Sequence, residues 1–153
     1  MLSDLAECSA RAVELLGLDP VVDFPETIIT AIDAFVFLTQ QGNTRDYDFN
    51  DEEDLPLLLG SAWGTQLVRG LGWQWGSVLF HDHDDTPAVG VFSVNRSLAI
   101  YPLHFVYGCL EHNAPVTIAL AWKILNDSAR VPELPATGFE NVMEHVHHVV
   151  PRT

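Results

Sequence analysis

The sequence predicts an α+β fold in which a three-stranded antiparallel meander packs against about five helices. Apolar residues recur at helical spacing before residue 70 and after residue 102. Between these regions lie short runs rich in β-branched and aromatic residues, separated by turn-forming residues. Helices and strands are thus grouped rather than alternating, which argues against βαβ units. With 153 residues and 48% hydrophobic composition, residues 1–153 are expected to form a single globular domain.

The first two helices are predicted from periodicity and from start and stop signals. Residues 3–16 place apolar side chains on one face and charged ones on another, and Gly17 can end the helix. The sequence DFPE then gives a second start, because Asp23 and Glu26 have the spacing of a capping box. An apolar run follows and ends at Gly42. The breadth of its apolar face predicts deep burial.

A third helix is expected to begin at Asp54 and Pro56 and to run to about Gly70. Gly60 and Gly64 are four residues apart and therefore lie on one face of this helix. Glycine weakens a helix, so its use here indicates that another element approaches closely.

The meander is predicted from three runs. Residues 73–81, WQWGSVLFH, read as a strand, and residues 88–94, AVGVFSV, form its hairpin partner across the turn DHDDTP. Asn95 and Arg96 make a second turn into the third strand, 97–101.

Two more helices are predicted after the meander. One begins at Pro102 and stops at Asn113, and the next begins at Pro115. The tail contains proline and glycine and is expected to be loop before a short element at 139–149.

The charge balance limits the possible partners. The chain has 21 Asp and Glu residues against 7 Lys and Arg, a formal net charge of -14. Such a field repels nucleic acid and anionic membranes and favours basic proteins. The N-terminus lacks the cations of a signal peptide, and no apolar run approaches the roughly 20 residues of a membrane span. Cys8 and Cys109 have neither disulfide-scaffold nor redox spacing, so we expect a reduced, cytoplasmic protein.

The most acidic stretch is TRDYDFNDEED, residues 44–54. It begins like a calcium loop, with Asp46, Asp48 and Asn50 at the first, third and fifth positions. The glycine and the final glutamate of such a loop are replaced by Asp51 and Leu57, which argues against calcium.

Two interpretations of this stretch remain open, a solvated loop and a docking surface. Blocks of like charge are usually solvated. However, aromatic side chains among carboxylates supply apolar contact area beside charges that steer a basic partner. The predicted partner-binding residues are Asp46, Tyr47, Asp48, Phe49, Asp51, Glu52 and Glu53.

Histidine and carboxylate residues cluster at two places and could hold zinc or iron. The clusters are His81, Asp82, His83, Asp84 and Asp85, and further along the chain His145, His147 and His148. The first cluster also falls where a hairpin needs polar turn residues. We therefore favour a surface turn, and expect neither a bound metal nor a cofactor.

Motifs for nucleophilic catalysis are missing from the sequence. There is no G-x-S-x-G sequence, and Ser77 and Ser93 fall in predicted strands. Cys109 and His112 are only neighbours on a predicted helix, and a free cysteine is commonly an inert core residue. We expect no catalytic residues.

A three-part pattern extends over roughly residues 55 to 125: a helix with W-G-x-x followed by Leu, Ile or Val, a strand with L-G-W-x-W, and a strand end with R-S-x-x-I-Y-P. Its residues are Trp63, Gly64, Leu67, Leu71, Gly72, Trp73, Trp75, Arg96, Ser97, Ile100, Tyr101 and Pro102. In this pattern the chain resembles a family of small bacterial domains of unknown function. These residues look like scaffold, and the family carries no activity over to this chain. In size and charge the chain is also similar to the immunity proteins that bacteria encode beside toxins.

Together these features predict a non-enzymatic, acidic protein-binding protein of the cytoplasm. The favoured hypothesis is an immunity protein that neutralises a toxin by docking acidic surface onto a basic cleft. One alternative is a metal-dependent hydrolase that uses the His81–Asp85 cluster. Another is an adaptor, which differs only in the identity of its partner.

Overall fold

The computed structural model describes residues 2–42, 54–80, 86–126 and 140–143. The helices in these ranges are α1 (Leu2–Leu15), α2 (Pro25–Gln40), α3 (Leu55–Leu71), α4 (Pro102–His112) and α5 (Ile118–Leu125). The strands are β1 (Gln74–Phe80), β2 (Thr86–Phe92), β3 (Leu98–Ile100) and β4 (Glu140–Asn141). None of these helices is long and apolar enough to cross a membrane.

The α+β fold is confirmed, including the antiparallel meander of three strands. β1 pairs with β2 along its whole length, and β2 then pairs with β3. The two-residue strand β4 adds to the far edge of β3 in parallel, so the sheet order is β1-β2-β3-β4. The sequence predicted only a short element here, because two residues are too few to show a period.

One face of the sheet packs against the helices. Trp75 lies opposite Val91, which lies opposite Ile100, so these side chains share a face. On the other face is a second, smaller apolar cluster formed by Ala88, Phe92, Ala99 and Tyr101. The rings of Phe92 and Tyr101 meet edge to face, with centroids 6.2 Å apart.

Helix α3 is the central element and packs against α1, α2, α4, β1 and β2. Two glycines allow this, as the sequence predicted. A Cβ atom on Gly60 would lie 2.8 Å from the Cα and N atoms of Leu103, at the start of α4. A Cβ atom on Gly64 would overlap the indole ring of Trp75 on β1. The close packing of α4 and β1 on α3 therefore depends on glycine, which has no side chain, at positions 60 and 64.

The ends of α3 also agree with the sequence to within a residue or two. The Asp54 carboxylate accepts a hydrogen bond of 3.2 Å from the backbone N–H of Leu57 and caps the helix. The helix ends at Leu71 and not at Gly70, because the left-handed conformation that closes it is taken by Gly72 at a φ of 72°.

The predicted capping residue of α2 and the predicted start of α5 are wrong, although α2 does begin within the sequence DFPE. The N-cap of α2 is Phe24, which makes no side-chain cap bond, and not Asp23. Asp23 is engaged elsewhere, because its Oδ2 accepts a hydrogen bond from the backbone N–H of Asp19. Helix α5 begins at Ile118 and not at Pro115, and its first turn is capped by the Asp33 carboxylate of α2.

Candidate functional site

An open groove of about 920 Å³ lies between the start of α3 and the outer face of α4. Much of its lining is apolar and half-buried. These side chains come from α3, β2 and α4, and they are Leu55, Pro56, Leu57, Val89, Leu103 and Leu110. The groove thus offers a hydrophobic floor that is not covered by the described part of the chain.

Polar side chains surround this floor. Thr39 reaches it from the last turn of α2 and Asp54 from the cap of α3, while His104, Tyr107 and Glu111 come from α4. The three α4 residues are spaced by three and four positions, so they form one stripe along the helix. The groove therefore has an apolar floor and a polar rim.

The charges of the rim have one sign. Asp54 and Glu111 are exposed carboxylates, and no Lys or Arg is among the described lining residues. His104, also exposed, is the only titratable base among them. At neutral pH the groove therefore adds locally to the negative field of the whole chain.

Tyr107 is the large aromatic side chain of the groove and is 51% exposed. Its ring meets that of His112 edge to face, with centroids 6.0 Å apart. A half-exposed tyrosine held by a neighbouring ring is a good anchor for a partner, because it loses little conformational entropy on binding.

Contacts at both ends of α4 hold the groove in place. The contact at Gly60 brings the backbone of α4 against α3 and places Leu103 in the groove. At the other end, the Gln40 side-chain amide donates hydrogen bonds to the carbonyls of Cys109, at 2.9 Å, and Ala114, at 2.7 Å. These bonds tie the last turn of α2, which carries Thr39, to the end of α4.

The predicted docking residues lie outside the described residues, at 43–53. Their connection to the groove is nevertheless defined by the chain. Asp54 directly follows Glu53 and lies on the rim, and Thr39 lines the groove shortly before the segment begins. The described residues on both sides of the acidic segment thus belong to the same site.

The predicted metal ligands, His81 to Asp85 and His145 to His148, also lie outside the described residues. Within the ranges that the structure describes, no group of three or more His, Cys, Asp or Glu side chains could hold a metal ion.

Cys109 and His112, the pair considered as a nucleophile and its base, do not face each other. The Cys109 thiol is buried and directed to the carbonyl oxygen of Pro115, at 3.9 Å, while the His112 ring packs on Tyr107. Burial, aided by the negative charge of Asp33, raises the pKa of Cys109 to about 11. A thiol in this state is a poor nucleophile at neutral pH.

No protein-family model, no curated protein and no solved structure matches this chain. The resemblance to small bacterial domains therefore stays a prediction. Its tryptophans have a structural place, since Trp63 is fully buried and Trp73 is 6% exposed.

Sequence reasoning missed the rim residues of α4. The sequence alone did not single out Tyr107, His104 or Glu111. The signal that could have found them is the width of the apolar face. Leu103, Tyr107 and Leu110 continue that face beyond the buried Val106 and Cys109.

Proposed function

We propose that this protein is a non-enzymatic, acidic binding protein that docks a basic protein partner at the groove between α3 and α4. We further propose that it acts in the cytoplasm as an immunity protein, with a bacterial toxin as the partner. The observation that carries the proposal is the apolar groove whose charged rim residues are carboxylates.

The groove suits a partner segment that combines an apolar side chain with flanking Lys or Arg. The apolar side chain would lie on Leu103 and Leu110 beside Tyr107. The cations would meet Asp54 and Glu111 at the rim. Burial of the anchor would supply most of the affinity, since a few central aromatic and aliphatic contacts dominate most protein interfaces.

The acidic segment adds to this surface through its charge. It joins α3 at Asp54, so its carboxylates are attached to the rim by the chain itself. With a net charge of -14, the protein attracts basic partners over distances of about a Debye length, roughly 8 to 10 Å at physiological salt. We expect this attraction to accelerate encounter more than it strengthens the final complex.

The same chemistry would suit an immunity function. A protein that must neutralise a toxin needs fast association, and a toxin with a basic active-site cleft presents the charge that this surface complements.

The proposal can be tested with a partner captured at low salt from the lysate of the source organism and then purified. Association and dissociation rates are measured against salt for the wild type and three variants. The first replaces Asp48, Asp51, Glu52 and Glu53 by Asn or Gln, the second is Tyr107→Ala, and the third is Glu14→Gln. Glu14→Gln is the matched control, because it removes one exposed carboxylate on α1, away from the groove.

The four-site variant should associate several-fold more slowly and show a flatter salt dependence. Tyr107→Ala should raise the dissociation rate about tenfold, which corresponds to about 1.4 kcal/mol. Glu14→Gln should behave like the wild type. An unchanged association rate of the four-site variant at low salt would refute the steering role of the acidic segment. An unchanged dissociation rate of Tyr107→Ala would refute the groove as the docking site.

Co-expression separates an immunity protein from an adaptor. The captured partner is expressed in a bacterial host with the wild type or with Tyr107→Ala. If the protein is an immunity protein, the wild type should restore growth of the host and Tyr107→Ala should restore it less. If the partner is harmless when expressed alone, the protein is an adaptor. A calorimetric titration with zinc tests the hydrolase alternative, which requires binding tighter than about 1 mM, or roughly 4 kcal/mol.

A further inference from the structure

The connection between α1 and α2 presents three apolar side chains to solvent. Val21 is 82% exposed, Val22 is 75% exposed and Phe24 is 76% exposed. Single exposed apolar residues are ordinary, but three within four positions form a patch. We call these three residues the apolar tip.

The backbone beneath the apolar tip is held by a network of hydrogen bonds. Oδ1 of Asp19 accepts from the backbone N–H groups of Val21, at 2.8 Å, and Val22, at 2.9 Å. Oδ2 of Asp23 accepts from the N–H of Asp19, at 2.6 Å, and the N–H of Asp23 returns a bond to the Asp19 carbonyl. The two aspartates thus close the turn on itself.

A third residue fastens this turn to the body of the protein. Nη2 of Arg69, near the end of α3, donates to the carbonyls of Val21, at 3.3 Å, and Asp23, at 3.1 Å. Nη1 of the same guanidinium donates to Oε1 of the buried Gln66, at 2.7 Å, which orients it. The exposed side chains therefore stand on an ordered backbone, so their binding needs little additional ordering.

A pocket of about 410 Å³ opens directly beside the apolar tip. Phe24 and Pro25 form one side of it, and Trp122 of α5 packs against Gly70 of α3 in its wall. A Cβ atom on Gly70 would overlap the Trp122 ring, so glycine is required for that wall. The pocket thus places a concave apolar surface next to a projecting one.

The charges at this surface have both signs. Lys123, the only lysine of the chain, lines the pocket together with Glu26. Asp19 carries a carboxylate at the base of the apolar tip, and hydrogen bonds from the N–H groups of Val22 and Val21 lower its pKa. The groove, by contrast, has carboxylates and no Lys or Arg in its described lining.

We infer that the apolar tip and the adjacent pocket form a self-complementary surface for a second copy of this chain, related by a two-fold axis. A two-fold interface uses the same patch on both copies, so a projection and a pocket side by side can each fill the other. An ion pair between Lys123 of one copy and Glu26 of its partner would make this patch complementary to itself in charge.

This dimer surface is separate from the proposed toxin-binding groove. Pro56 lines the groove and Gly70 lines the pocket, and the rise of an α-helix separates them by roughly 20 Å along α3. The inference therefore goes beyond the proposed function, and either can fail without the other.

Sedimentation equilibrium of the whole chain over a range of concentrations and salt tests the inference. Each copy carries a net charge of -14, so salt must screen repulsion before the apolar surfaces can meet. Dimerisation should therefore strengthen between 50 mM and 500 mM sodium chloride. Docking of a basic protein at the groove should weaken over the same range, so the two interactions are distinguished by the sign of their salt dependence.

Val22→Asp should lower the dimerisation constant at least tenfold, because it places a charge on the apolar tip. Val94→Asp is the matched control, since Val94 is 84% exposed in the turn between β2 and β3 and the same substitution there should have no effect. Glu26→Lys and Lys123→Glu should each weaken the dimer, and the double reversal should restore it.

A chain that stays monomeric at about 1 mM in high salt would overturn the inference. So would a dimer that weakens as salt is raised, or one that Val22→Asp and Val94→Asp affect equally. Both valines are exposed, so loss of folding does not complicate this comparison, and circular dichroism of each variant verifies it.

Discussion

Asp33 on α2 caps a helix that begins 85 residues later in the sequence. Its Oδ2 accepts a hydrogen bond of 2.9 Å from the backbone N–H of Ala119, in the first turn of α5. The local N-cap residue, Thr117, makes no side-chain cap bond. One carboxylate thus replaces the local cap and joins α2 to α5.

Replacing Asp33 by alanine should destabilise the protein, because the first turn of α5 loses its acceptor. The loss of an N-cap bond typically costs about 0.5–2 kcal/mol of unfolding free energy. Urea unfolding at pH 7 measures this difference. Thr117→Ala is the control and should change the unfolding free energy by less, since its side chain does not cap the helix.

Replacing Asp33 by asparagine should keep the helix cap and remove the contribution of this residue to the pH dependence of the unfolding free energy. Burial raises the pKa of Asp33, although hydrogen bonds from Ala119 and Ile118 and the charge of Lys123 act in the opposite direction. A raised pKa means that the folded protein holds this proton more tightly than the unfolded chain does. The contribution of Asp33 to the unfolding free energy is therefore most favourable below the pKa that it has in the unfolded chain. It declines as pH rises through the pKa that it has in the folded protein.

Unfolding free energies of the wild type and Asp33→Asn, measured from pH 3 to pH 7, test this sign. The two curves of unfolding free energy should lie closest at the acid end, and the variant should become more stable relative to the wild type as pH rises. A variant that instead loses stability relative to the wild type as pH rises would show that the charge on Asp33 is favourable in the folded state.

Gly64→Ala should destabilise the protein by about 1–3 kcal/mol, the usual range for overpacking. The new methyl group would overlap the ring of Trp75 and lie 3.0 Å from Cγ2 of Val91, so β1 or β2 must move. Gly108→Ala is the matched control, since nothing lies within 4 Å of its Cβ position in α4. That change should raise stability by about 0.5–1 kcal/mol through helix propensity alone. Equal effects at the two glycines would contradict the close packing of α3 on the sheet.

Ser61→Ala should stabilise the protein by about 1 kcal/mol. Among the described residues, Ser61 Oγ is a buried side-chain atom without a hydrogen-bond partner, and a hydroxyl in this position loses its hydration on folding. Thermal and urea unfolding of the variant measure the gain. A clear loss of stability would show that the hydroxyl does bond a partner in solution.

Alkylation should distinguish the two cysteines. The Cys109 thiol has a pKa of about 11, so at pH 8 about one part in a thousand is thiolate, and the residue is buried as well. Cys8 is half-exposed, although burial and the charges of Asp4 and Glu7 raise its pKa too. Iodoacetamide should label Cys8 slowly and Cys109 only after denaturation, as read by peptide mass spectrometry. Faster labelling of native Cys109 would contradict its buried position.

Local sequence patterns predicted most of the fold. The periodicity of α1 to α4 and the turn residues of the meander are signals within a few positions, so the element types and their order could be found. The Gly60 and Gly64 spacing even indicated which face of α3 would meet its neighbours.

Contacts that are distant in sequence could not be predicted in this way. The bond from Ala119 to the Asp33 carboxylate spans 86 positions and caps the first turn of α5, and no local pattern contains it. The groove is equally non-local, because it needs the meeting of Gly60 with Leu103 and the tether from Gln40. A sequence pattern shows the faces of each helix, but only the assembled helices show which face is left uncovered.

The central place of α3 has a consequence for synthesis on the ribosome. Its partners α1 and α2 precede it, so those contacts can form once residue 71 has emerged. The surface that α4 covers stays open until the whole meander has been translated, and it includes Trp63, whose ring later meets that of Phe105 at a centroid distance of 5.5 Å. A nascent chain between these two points lacks the contact of Trp63 with Phe105, and apolar surface exposed at such a stage favours aggregation and chaperone binding.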